Sequence, residues 1–272
     1  MRLLRFFLLS LGLLALVGGF GAGSALAASK DTGFYVFKDM RSSAVTEFRD
    51  AHGKLVWSEV SIGEKGAPGT ACGDSHHTMV GARWGSFPAY FVNVSSIPDE
   101  INALAALDDL QAAHEGWEDP WTTDCSNIPG TSPYVSIYGG ESALGASLAE
   151  LQLDGANVVE FRSLQGTVCG APGVVACVVA WSESGRFVEA DMALEADLTR
   201  LGGNYHWTTG DRTSFESNRG KFAVSDVATH EFGHFAGLGH VKTSPALTMF
   251  PAIHDGMQTL GLGDMKGLLT RY

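Results

Sequence analysis

The chain has 272 residues, 45% of them apolar, and a formal charge of −12, enough material for one substantial core. An acidic balance of that size is repelled by polyanions, so nucleic acid and anionic membrane surfaces are excluded as expected partners. The residue types left to carry chemistry are four cysteines and nine histidines.

Residues 1–27 have the parts of an export leader: Arg2 and Arg5, an apolar run from Phe6 to Val17, and the small-residue signal Ala25-Leu26-Ala27 before a cut. A membrane anchor is the alternative, opposed by the short run and by Gly18, Gly19, Gly21 and Gly23 at its end. The expected destination is extracellular, or periplasmic in a Gram-negative cell. There an even number of cysteines can pair. Cys169 with Cys177 would staple Val168–Val178 into a hairpin, which leaves Cys72 for Cys125.

Residues 28–83 mix polar residues, glycine and short apolar pieces, with weak strand patterns at Phe34–Phe37 and Leu55–Trp57. They form either a pro-segment or an N-terminal extension. Cys72-Gly73-Asp74 adds a second possibility for Cys72, because a free thiolate is a strong zinc ligand and could act as a latency switch. His76 and His77 are adjacent, point in different directions and read as surface residues.

From Trp84 the pattern becomes regular. Pro88–Val94 reads as a strand with Tyr90, Val92 and Val94 on one face, and Ser96 with Pro98 reads as a helix start. Ile101, Leu104, Leu107, Leu110 and Trp117 give that helix an apolar stripe, and its lone His114 reads as structural or solvated. Strands follow at Tyr134–Tyr138, Asn157–Phe161, Val174–Trp181 and Arg186–Leu194, to be joined in one twisted sheet. Val174–Ala180 is apolar on both faces and suits a central strand, whereas Glu189 and Asp191 place Arg186–Leu194 at an edge. Gly202–Lys221 reads as a loop.

The next stretch, His230-Glu231-Phe232-Gly233-His234-Phe235-Ala236-Gly237-Leu238-Gly239-His240, has the form H-E-x-x-H-x-x-G-x-x-H. On a helix starting near Ala223–Ser225, His230 and His234 lie four apart and present two imidazoles to one ion. Gly237 can take the left-handed conformation that ends the helix and turns the chain, which brings in His240. Three histidines leave a fourth tetrahedral position open, the arrangement of a catalytic zinc, and Glu231 stands where a carboxylate can act as general base and then acid on a water there. After Met249-Phe250-Pro251 a last helix runs from about Asp264, its N-cap, to Tyr272, burying Leu268, Leu269 and Tyr272.

The motif, Met249 nine residues after its third histidine, and the turn Thr248-Met249-Phe250-Pro251 resemble the matrixin branch of the metzincin zinc metallopeptidases. The likeness extends to Ala82-Arg83-Trp84, the strand at Pro88–Val94, the helix ending at Trp117, and Gly263-Asp264-Met265-Lys266-Gly267, roughly residues 82–272. Pro251 stands where astacins and serralysins have tyrosine. The resemblance implies an α+β fold: a twisted, mostly parallel sheet with an antiparallel edge strand, a long N-terminal helix, the zinc-site helix, and a small C-terminal subdomain with a final helix, over residues 84–272. It implies Met249 as a hydrophobic floor beneath the zinc. Ile253 replaces the aromatic that commonly lines the specificity pocket.

Histidine- and aspartate-rich loops for structural zinc and calcium are not reproduced between Phe161 and His206, so one catalytic Zn2+ is expected and no Ca2+ site is carried over. Thr70-Ala71-Cys72-Gly73-Asp74 keeps only the Cys-Gly of the matrixin pro-segment. The chain looks like a compact secreted microbial relative.

The expected activity is therefore that of a secreted, monomeric zinc endopeptidase, with His230, His234 and His240 as ligands and Glu231 as the catalytic carboxylate. Its substrate is an extended peptide along the strand at Arg186–Leu194. The alternative is a secreted zinc-binding or adhesion module that has kept the metal site without turnover.

Overall fold

A computed structural model describes residues 32–62, 70–118, 125, 132–146, 153–210, 220–253 and 256–272; the leader expected over residues 1–27 lies outside the described residues. The strands are β1 (Gly33–Met40), β2 (Ser43–Asp50), β3 (Leu55–Ile62), β4 (Thr78–Met79), β5 (Arg83–Trp84), β6 (Ala89–Val92), β7 (Ile137–Glu141), β8 (Val158–Arg162), β9 (Val174–Glu183), β10 (Arg186–Glu195), β11 (His206–Thr208), β12 (Lys221–Ala223) and β13 (Leu238–Gly239). The helices are α1 (Ala103–Glu118), α2 (Val224–Phe235) and α3 (Leu262–Arg271). A mixed sheet with three helices makes the fold α+β.

The main sheet runs β3-β2-β1-β9-β10-β8-β6-β7, with β5 also paired to β10. Contacts from β10 through β8 and β6 to β7 are parallel; those from β10 through β9, β1 and β2 to β3 are antiparallel. The sheet is thus parallel in one half only, and antiparallel β9 is not its edge. The N-terminal strands form a meander that continues the sheet, so the weak patterns at Phe34–Phe37 and Leu55–Trp57 belong to real strands. Their patterning is weak for different reasons. β1 is buried on both faces, with Phe34, Val36 and Phe37 at most 1% exposed. β3 is an outer strand that leaves Val56, Val60 and Ile62 in solvent.

Arg186–Leu194 is interior, flanked by β9 and β8, which corrects its expected place at an edge. Its acids are buried because they accept backbone N–H groups that no strand satisfies. Glu189 Oε2 takes the amides of Asp154 and Gly155, and Asp191 Oδ1 takes that of Val158.

One core lies between the sheet and the helices, around Trp117, Tyr90, Phe232 and Phe235; the other, around Phe34, Val36, Val179 and Trp181, covers the opposite face. Both disulfides are present, Cys72–Cys125 and Cys169–Cys177, and none of the described cysteines is free. The second closes a turn against β9 rather than a hairpin, because residues 168–173 are not a strand.

Helix α1 begins at Ala103, later than Ser96 and Pro98 suggest. Val94–Ser96 forms a single 3-10 turn, and Asn102 caps α1 by accepting the amide of Ala105 at 3.0 Å. With that phase the buried face is Ala106, Leu110, Ala113, His114 and Trp117, while Leu104 is exposed. The loop expected over 202–221 contains a short parallel pair, β11 with β12, that leads directly into α2.

Candidate metal centre

All twelve residues of α2 are buried, including His230, Glu231 and His234. Burying such groups costs several kcal/mol unless each is paired, and the pairing shows what the helix is for. The Nδ1–H of His230 donates to the Thr248 carbonyl at 2.6 Å, and that of His234 donates to the Leu238 carbonyl at 2.8 Å. A carbonyl only accepts, so both rings carry a proton on Nδ1, and Nε2 is the atom each neutral ring can offer to an ion. Gly237, at φ 91°, ends the helix in the left-handed region, and the chain returns through β13 to place His240.

The three Nε2 atoms converge. His234 Nε2 lies 3.1 Å from that of His230 and 3.0 Å from that of His240. Ligand atoms about 2.0–2.1 Å from a tetrahedral zinc stand about 3.3–3.4 Å apart, close to this spacing. Three imidazole nitrogens at this spacing are a donor set that fits a zinc ion.

A fourth group, not expected from the sequence, completes the cluster. Asp39, at the end of β1, places Oδ1 2.7 Å from His240 Nε2 and 3.3 Å from His230 Nε2, with Oδ2 3.2 Å from His234 Nε2. Burial opposes a charge on Asp39, yet the three imidazoles outweigh it and hold the carboxyl well below the usual range. At His234 burial prevails over the attraction of Asp39 and lowers the imidazole to about 4, whereas at His230 Asp39 overcomes burial and raises it. Glu231 is pushed well above the ordinary carboxyl value, first by burial and then by the Asp39 charge. Neither of its oxygens has a hydrogen-bond partner.

Met249 is 1% exposed and packs under α2 at Gly233, where a methyl group would meet its Sδ at 2.2 Å. Sequence reasoning missed what holds this turn. Asp264, expected as the N-cap of α3, sits in its first turn, and its carboxylate accepts the amides of Gly261, Thr248 and Met249 at 2.8–3.1 Å. Thr248 in turn supplies the carbonyl that orients His230. On the last helix Leu268 is fully buried, while Leu269 and Tyr272 are half-buried.

The remaining candidates lie apart. Cys72 is bonded to Cys125, so its thiolate is not a metal ligand in this form. His76 is exposed and bound to Asp74. His114 is buried against Tyr90 and Phe232, with Ser136 and Glu118 on Nε2. Beside the metal centre is a cavity of about 580 Å³, lined on one side by Tyr35, Thr46 and Trp57 of the meander and on the other by Met79, His240 and Lys242.

Asp39 carried no sequence signal, since 201 residues separate it from His240 and no spacing rule links them. Among the described residues no helix is long and apolar enough to cross a membrane, and the two disulfides fit an extracellular protein. No curated protein sequence matches the chain at a significant level. Residues 184–272, from the β9–β10 turn through the three histidines to α3, match the family model for matrixin, a family of zinc metallopeptidases.

Proposed function

We propose that the protein is an exported zinc endopeptidase. One observation carries this reading: the Nε2 atoms of three buried histidines converge within about 3 Å of one another next to the buried carboxyl group of Glu231. Residues His230, His234 and His240 would hold the ion, which supplies Lewis acidity toward water and a peptide carbonyl. Glu231 takes a proton from the attacking water and delivers it to the departing amine, one carboxyl group serving as base and then as acid. The Thr248 and Leu238 carbonyls keep the rings oriented through both steps. An extended peptide substrate would pair along the edge of β9 that β1 covers in this structure, rather than with interior β10.

Asp39 gives a specific reason for a second reading, a zinc module without turnover, because three histidines and a carboxylate make the closed set of a structural site. Since Asp39 lies against all three Nε2 atoms, the test uses an Asp39→Ala chain with and without Glu231→Gln. Hydrolysis of an unfolded protein should fall about 100-fold or more with Glu231→Gln while zinc content stays at one per chain. Equal hydrolysis in the two chains would remove Glu231 from the chemistry, and a zinc-loaded Asp39→Ala chain that cleaves nothing would favour the silent module.

A further inference from the structure

We propose that Asp39 is a fourth protein ligand of the metal and that β1 is a tethered stand-in for the substrate strand, so that the full chain is a latent form. The inference rests on the zinc reading above.

Its first support is the carboxylate itself. Asp39 is 1% exposed and lies 2.7–3.3 Å from all three Nε2 atoms, with Oδ2 facing that of His234 at 3.2 Å. A ligand to a cation shared by the three histidines accounts for a carboxylate set against all three ring nitrogens at once. It also takes the coordination position that a catalytic site leaves to water.

The second support is the strand. Without β1, β9 would form an edge of the sheet, since its other neighbour is β10. β1 covers that edge antiparallel from Gly33↔Ser182 to Asp39↔Ala176, as a bound extended peptide would. The register slips just there, so that Met40 faces Val174, and such a bulge re-aims side chains beside a site. On the same face, two residues earlier, the Phe37 ring stacks on His234 with centroids 4.2 Å apart and planes 12° apart. Thr46 on β2 reaches His240 Nδ1 at 3.2 Å.

The meander is fastened as a unit. Glu47 pairs with Lys38 across β1–β2 and with Arg49, both at 2.6 Å, and Lys242 beside the metal centre pairs with Glu59 on β3. Departure of the meander would free the edge of β9, vacate the fourth coordination position and remove one wall of the cavity. The Cys72–Cys125 disulfide meanwhile keeps the following residues attached.

The test compares the full chain with Asp39→Ala and the isosteric Asp39→Asn, each loaded with zinc or with cobalt(II). The readouts are metal per chain, the rate of zinc removal by a chelator, and the visible cobalt spectrum with and without acetohydroxamate. The unaltered chain should hold one metal with a spectrum that acetohydroxamate leaves unchanged. Asp39→Ala should also hold one metal, with a shifted spectrum that responds to acetohydroxamate, zinc removal at least tenfold faster, and hydrolysis of an unfolded protein raised at least tenfold. If near-ultraviolet circular dichroism shows that Asp39→Ala does not fold, Asp39→Asn decides by the same readouts. A spectrum and removal rate unchanged by the substitution would overturn Asp39 as a ligand. An opened site without a gain in hydrolysis would overturn the latency. If the unaltered chain holds no metal, the zinc reading has failed before this one is reached.

Discussion

Gly233 lies between the two helical histidines, and its substitution by alanine tests whether Met249 is packed against the metal helix as tightly as the structure requires. In an open helix interior the change stabilises by about 1 kcal/mol. Here the new methyl carbon would stand 2.2 Å from Met249 Sδ and 2.7 Å from a ring carbon of Trp117. Trp117 cannot yield easily, because its indole N–H donates to the Thr229 carbonyl at 2.8 Å and the ring is fully buried.

Overpacking of this kind costs about 3 kcal/mol at the upper end of its usual range, so the net loss is about 2 kcal/mol. In a chain of this size that lowers Tm by about 4–8 °C. Adding Met249→Ala removes the contacting sulfur and gives the methyl group a cavity to fill. The double variant should therefore lose less than the two single losses added together, by about 1 kcal/mol. Thermal unfolding of the four proteins measures both quantities. An unchanged or raised Tm for Gly233→Ala, or strict additivity, would refute the packing described.

The double variant Cys72→Ser with Cys125→Ser should unfold more easily, since the bridge spans 53 residues and a loop of that length is worth about 4 kcal/mol in the chain-entropy account. Its zinc content should not change, whereas a loss or gain of metal would return Cys72 to the site. Glu47 is held below the ordinary value of 4.5; burial works against this, but the Lys38 and Arg49 hydrogen bonds prevail. A depressed folded value gives stability that is present above 4.5 and lost as pH falls through the folded value. Hydrogen exchange in β1 and β2 should therefore speed up below about pH 4.5, with Glu47→Gln flattening that dependence. Asp264→Asn should lower zinc affinity and Tm together, because it weakens acceptance of the Thr248 and Met249 amides that fix the turn orienting His230. Unchanged zinc affinity would separate that turn from the metal.

The clustering of the three histidines was legible because its information is local. His230, His234, Gly237 and His240 are fixed by helix periodicity and one turn. The disulfide pairing was legible for a similar reason, as eight residues separate Cys169 and Cys177 and the other pair follows. What sequence could not show depends on pairing across the chain. β1 lies in the sheet through contacts with β9 some 140 residues later, and a strand buried on both faces carries no alternation to reveal it.

Glu189 and Asp191 misled because charge in a strand ordinarily means solvent, whereas here both acids serve the backbone of residues 154–158. Asp264 was read as a cap from its place before an apolar run, although its carboxylate also reaches the turn at Thr248 and Met249. Asp39 was invisible for the most basic reason: a single acid at the end of a strand is common, and only the fold places it among three histidines.

X-ray absorption at the zinc edge of the purified full chain tests the central claim most directly. The account predicts one zinc with three imidazole rings and one further light-atom ligand, all at about 2.0–2.2 Å. A sulfur ligand at about 2.3 Å, fewer than three imidazoles, or no zinc at all would contradict it.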